Sequence, residues 1–132
     1  MKILLHTHWE LSVRPAGAER YTDNAVQYLQ KQGHEFRYLL RNDVQTMVGG
    51  AQQYVGASDV PCYIENPDGS GYKEHYDWCD VVWSHLVMSK KAIMLGKEFD
   101  KAVVIVLHSD NQGLDLDMDD VALLVYNAEW VS

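Results

Sequence analysis

The run Ala102-Val103-Val104-Ile105-Val106-Leu107 holds six consecutive apolar residues with no alternation. A strand with one wet face alternates apolar with polar residues. An unbroken, mostly β-branched run marks a strand buried on both faces, as at the centre of a parallel sheet covered by helices. Parallel neighbours need long crossover connections, usually helical. This one segment therefore demands an α/β chain, and the remaining sequence supplies the pieces.

Ile3-Leu4-Leu5 is a short apolar run and reads as a buried first strand. The polar stretch 6–14 reads as a long loop, closed by Pro15 and Gly17. Then the period changes. Ala18, Tyr21, Ala25, Tyr28 and Leu29 recur at three- and four-residue steps and predict one apolar helix face. Glu19 suits the positive end of that helix, and Gly33 suits the left-handed position after it. Residues 34–40 read as a second strand, which completes a right-handed βαβ unit. Residues 42–79 are broken by Gly49-Gly50, Gly56, Pro61, Pro67, Gly69 and Gly71. A short helix near 43–48 and a short strand near 62–64 are expected there. A strand over 80–84, a helix over about 89–99 and a last strand over 121–126 follow. The expected fold is α/β: a single Rossmann-like, doubly wound domain over residues 1–132, with a mainly parallel sheet and helices on both faces.

The charge balance narrows the partners. The net charge is −8, and residues 67–132 carry twelve Asp/Glu against five Lys/Arg. Phosphate-backbone binding needs a basic footprint, so nucleic acid is not expected. Asp115-x-Asp117-x-Asp119 resembles the opening of a calcium loop. Asp120 stands where that loop needs glycine and Tyr126 where it needs glutamate, so the calcium reading fails. Tyr21, Tyr28, Trp78 and Trp83 read as core or groove-wall residues, and Lys90-Lys91 as a solvated pair. Cys62 and Cys79 have no zinc or redox spacing and read as free thiols of a reducing compartment. With no run long enough to span a bilayer, the expected location is the cytoplasm.

Ligands of open parallel sheets bind outside the carboxyl ends of the strands. His6 and His8 follow the first predicted strand, and His85 follows the strand over 80–84. His108 and Ser109 follow the central strand, and Asn127 the last. Four of the six histidines thus map to one predicted rim; any one alone reads more readily as a hydrogen-bonded rim residue, but the four together point to a site. Pro15-Ala16-Gly17-Ala18-Glu19 joins the first strand to the first helix, where small residues and unpaired N–H groups suit an anion such as a diphosphate. It is neither G-x-G-x-x-G nor a Walker A loop. A second chemistry is metal-dependent hydrolysis by His6-x-His8 with His85, His108 and Asp110 as further ligands. Alternate residues of an extended segment point opposite ways, which tells against it.

The pattern resembles the N-terminal domain of the GT-B glycosyltransferases of family 4. It is carried by Lys2-Ile3-Leu4-Leu5, Ala16-Gly17-Ala18-Glu19-Arg20-Tyr21 and Gln32-Gly33-His34-Glu35. Asp80-Val81-Val82-Trp83-Ser84-His85, Val106-Leu107-His108-Ser109 and Tyr126-Asn127-Ala128-Glu129-Trp130-Val131 add to it. Ala16 stands where the family often has a second glycine. The resemblance implies an acceptor-binding domain of a retaining, metal-independent glycosyltransferase. The partners it implies are a nucleotide-sugar donor and a carbohydrate or lipid-linked acceptor. A separate C-terminal domain would hold most of the donor, and without it the chain is expected to be inactive and to self-associate through the exposed face. No resident cofactor is implied. Ala16, Gly17, Ala18 and Glu19 would lie by the donor diphosphate and His108 would face the transferred sugar. His8, His85, Ser109 and Asn127 would form the acceptor pocket. A free-standing binding module that has lost catalysis is the other expectation for this fold.

Overall fold

The computed structural model describes residues 1–107 and the strand Leu123–Tyr126. The described elements are, in chain order, β1 (Lys2–Thr7), α1 (Gly17–Gln30), β2 (Glu35–Leu40), β3 (Gln53–Val55), β4 (Pro61–Ile64), α2 (Lys73–Trp78), β5 (Val81–His85), α3 (Ser89–Glu98), β6 (Ala102–Leu107) and β7 (Leu123–Tyr126). Three 3-10 turns, Asn42–Val48, Ala57–Asp59 and Leu86–Met88, lie between them. The strands form one seven-stranded sheet in the order β3-β4-β2-β1-β5-β6-β7. Only the β3–β4 pair is antiparallel. Without that edge strand, the six parallel strands lie third-second-first-fourth-fifth-sixth, the doubly wound order of a Rossmann-like sheet.

The expected α/β architecture is therefore present, and the pleat explains its core. Leu4, Leu39, Val82, Val103, Ile105 and Leu107 turn to one face and pack with Tyr76 of α2 and Ala92, Ile93 and Leu95 of α3. Ile3, Leu5, Phe36, Tyr38, Leu40, Cys62 and Ile64 turn to the other, with Val26 of α1. Because α1 and α3 follow connections that run in opposite directions from the sheet centre, a single crossover hand sets them on opposite faces. The six-residue apolar run is β6, paired on both sides, with Val103, Ile105, Val106 and Leu107 buried. Gly33 takes φ +90°, as expected of the residue that ends a helix.

Three expectations need correction. The stretch 6–14 is not all loop, since β1 runs on through Thr7. The helix α1 is present, but its buried residues are Glu19, Thr22, Asp23 and Val26, while Tyr28 is 64% exposed. The stripe of Ala18, Tyr21, Ala25 and Tyr28 lies about one residue round the helix from the buried face. Polar partners make this orientation stable: Asp23 accepts from Ser58 Oγ at 2.6 Å and from Gln27 Nε2 at 2.8 Å, while Thr22 Oγ1 donates to Ala18 O at 2.9 Å. Periodicity sees apolar residues only, so a face buried through hydrogen bonds escapes it. Lastly, Lys91 is only partly solvated: its Nζ lies 2.6 Å from Glu65 Oε2 and 2.8 Å from Gly69 O.

Candidate functional site at the strand switch point

The direction of the connections reverses between β1 and β5, and it is outside the carboxyl ends of the strands at such a switch point that open α/β sheets bind their ligands. Two elements border it: the chain from β1 into α1, and the end of β5. Ala16 is the N-cap of α1 in extended conformation, with no side-chain cap. A Cβ added to Gly17 would meet no heavy atom within 4 Å, and Gly17 has no positive φ. Neither conformation nor packing explains a glycine here, whereas open space in front of the helix terminus leaves its N–H groups approachable. Arg20 reaches back so that Nη2 lies 3.3 Å from Pro15 O, which sets a cation beside the 15–17 turn.

Glu19, in the first turn, is buried. Burial raises its carboxyl above the ordinary range, against the pull of the Arg14 guanidinium and of its own backbone N–H. The Arg14 guanidinium itself stacks 4.1 Å over the Trp9 ring.

His85 closes β5 and is buried, with Nδ1 3.4 Å from Thr22 Oγ1. The Thr22 hydroxyl hydrogen is committed to Ala18 O, so Nδ1–H of His85 is the donor in this contact. Thr22 stands one turn and a half inside α1, and the contact fixes the imidazole against the helix that carries the Gly17 terminus. Ser84 Oγ donates to His6 O at 2.6 Å and ties β5 to β1 across the switch point.

His8 lies just past β1 and is held differently. Its ring stacks on Trp9 at 3.6 Å and 16°, and Nε2 lies 2.8 Å from Asp43 Oδ2. Asp43 follows β2, so this imidazole–carboxylate pair joins the carboxyl ends of two neighbouring strands. His6 does not belong to the rim. It is fully buried on the opposite face, with Nδ1 2.7 Å from Tyr76 Oη and Nε2 2.9 Å from Glu65 Oε2. The pleat thus sends His6 to the α2–α3 face and His85 to the α1 face, while His8 turns to Asp43. The three do not converge, so His6, His8 and His85 do not form one metal site; His108 and Asp110, the other ligands of the metal-hydrolase reading, lie outside the described residues. Among the described residues no cluster of three or more His, Cys, Asp or Glu is placed to hold a metal ion.

Of the residues singled out from sequence, Ala16, Gly17, Ala18, Glu19 and His85 are brought together around the start of α1, with His8 farther along the same rim. His108, Ser109, Asp110 and Asn127 lie outside the described residues, as do Asp115, Asp117 and Asp119. Sequence reasoning missed Thr22, Arg20 and Asp43. Asp43 had a readable signal, as an acidic residue just past a predicted strand; Thr22 and Arg20 had none beyond their place in the first helical turns. No helix among the described residues is long and apolar enough to cross a membrane. No protein-family model and no curated protein matches the chain.

Proposed function

We propose that this chain is the acceptor-side domain of a retaining GT-B-type glycosyltransferase, with the crevice between β1 and β5 as its half of the reaction cleft. The observation that carries the reading is the start of α1: an N-terminus without a side-chain cap, fronted by a glycine in open space and flanked by Arg20. Sugar transfer builds negative charge on the departing phosphate. Backbone N–H groups and the positive end of a helix stabilise such charge where it develops. His85, held by Thr22, closes β5 on the same side of the sheet as α1. The donor is a nucleotide-sugar and the acceptor a carbohydrate or lipid-linked carbohydrate. A second, donor-binding domain supplies the base and ribose contacts, so transfer by this chain alone is very slow.

The test is a titration of the isotope-labelled chain with uridine, guanosine and adenosine diphosphates and their sugar conjugates, followed by amide and imidazole NMR shifts. Weak, millimolar binding is expected, with shifts concentrated on Gly17, Ala18, Glu19 and His85. If none of the nucleotides moves these signals at saturating millimolar concentration, the reading is abandoned.

A further inference from the structure

A second cleft lies away from the switch point, where the antiparallel edge of the sheet meets the start of α2. It is an open groove of about 270 Å³, lined by Gln52, Gln53, Tyr63, Asn66, Glu74 and His75, together with Ile64 and Gly71. Taking about 30 Å³ per water, that volume holds roughly nine waters, the bulk of one sugar ring.

Its walls are built rather than accidental. Gln53 and Tyr63 are direct cross-strand partners, so their side chains share one face of the sheet. The Tyr63 and His75 rings lie 4.6 Å apart at 48°. Arg37 sits 4.9 Å from the Tyr63 ring and 4.2 Å from the Trp78 ring, and its Nη1 donates to His75 Nδ1 at 3.1 Å. The imidazole therefore carries its proton on Nε2, which lies 3.4 Å from Glu74 Oε1.

The polar groups on these walls are largely unspent. The Gln52 and Gln53 carboxamides and the Tyr63 hydroxyl form no hydrogen bond to another described residue, and Glu74 has only the long His75 contact. Two carboxamides, a carboxylate, a phenol and an N–H donor offer donors and acceptors in nearly equal supply. Among the described residues no Lys or Arg lines the cleft, and Glu74 is the one charged lining group. That tells against phosphate and carboxylate ligands and matches a neutral ligand dense in hydroxyls. Amide and carboxylate planes suit adjacent hydroxyl pairs, and an aromatic wall suits the C–H face of a sugar.

We propose that this cleft is a carbohydrate-binding site that takes a single neutral pyranose unit, separate from the crevice at α1. It stands whether or not the chain transfers sugars, because it depends on neither Gly17 nor His85.

The experiment is a titration of the labelled chain with glucose, galactose, mannose, N-acetylglucosamine and, as a hydroxyl-rich control, glycerol. Millimolar binding of at least one pyranose is expected, with shifts confined to residues 52–53, 63–66 and 71–75. Gln53→Ala with Glu74→Ala, both exposed positions, should weaken that binding at least about tenfold, the loss of about 1.4 kcal/mol, with an unchanged melting temperature. The proposal is overturned if no sugar shifts these residues, if glycerol shifts them equally, or if the double variant binds as the wild type does. Shifts at residues 16–19 belong to the other crevice and leave this outcome untouched.

Discussion

His6 donates its Nε2 proton to Glu65 across 2.9 Å, and neither side chain is more than 1% exposed. Burial lowers the imidazole from its ordinary value, and the opposing pull of Glu65 does not restore it. Burial alone would raise the Glu65 carboxyl, but hydrogen bonds from His6 and Lys91, with the charge of Lys91, hold it below the ordinary range. The pair is therefore a neutral imidazole bonded to a carboxylate whose charge is balanced by Lys91, at 2.6 Å. With Tyr76 on the other imidazole nitrogen, this network pins β1, the end of β4, α2 and α3 together behind the crevice.

Removing the carboxylate strands two donors. Glu65→Ala is expected to destabilise the fold by about 3 kcal/mol, the low end for breaking a buried pair. Lys91 is partly solvated, so Lys91→Ala should cost less, about 1–2 kcal/mol. The double variant should cost less than the sum, with a coupling of about 1 kcal/mol or more in urea unfolding. Strict additivity would mean that Lys91 does not support Glu65.

Acid should weaken the fold well before carboxylates titrate. His6 is lowered by burial, and His75 is lowered to about 4 by burial and by the Arg37 guanidinium. As pH falls through about 6.5, the unfolded chain takes up protons that the native imidazoles refuse. Stability is thus full above that value and declines toward pH 4, by up to about 1.4 kcal/mol per group for each pH unit. The lowered carboxyl of Glu65 acts in the same direction below its unfolded value. Glu19, with a raised carboxyl, acts in the opposite direction. Urea midpoints measured from neutral pH downward should fall, and His75→Gln should flatten the slope between about pH 6.5 and 4. A pH-independent midpoint over that window would contradict the buried neutral imidazoles.

Most of the sheet was legible because its signal is apolar and local. Ile3-Leu4-Leu5 and the run 102–107 are short apolar runs that read as buried strands, and Gly33 suits the left-handed position after a helix. What escaped depends on partners distant in sequence. The edge strand β3 has the pattern exposed, intermediate, exposed over three residues, and only its register against β4 makes it a strand. Nothing local to Lys91 reveals Glu65, 26 residues away. The rim histidines were found by strand ends, but which face each one takes depends on where its strand stops. β1 ends at Thr7 rather than Leu5, and that extension carries His6 into the core.

The orientation of α1 gives a direct comparison of apolar pattern with polar burial. Val26 is fully buried, while Tyr28 is 64% exposed. Val26→Ala is expected to cost about 1–3 kcal/mol, and Tyr28→Ser less than about 0.5 kcal/mol. The reverse order in thermal or urea unfolding would restore the stripe of Tyr21, Ala25 and Tyr28 as the buried face.

Two glycines separate structure from ligand access. A Cβ at Gly96 would stand 2.2 Å from Val103 Cγ2 and 3.1 Å from the backbone oxygen of Lys101, so α3 could not keep its place on β6. Gly96→Ala is expected to destabilise by about 1–3 kcal/mol through overpacking. At Gly17 the same methyl enters open space on a helical residue with no positive φ. Gly17→Ala should therefore leave stability unchanged or raise it by up to about 1 kcal/mol, since alanine restricts the unfolded chain. Its effect should fall on ligands instead: the methyl shields the N–H groups at the start of α1, and nucleoside diphosphate shifts at Ala18 and Glu19 should weaken severalfold. A variant of unchanged stability that bound the nucleotide as well as the wild type would separate Gly17 from the anion site, and with it the crevice from phosphate chemistry.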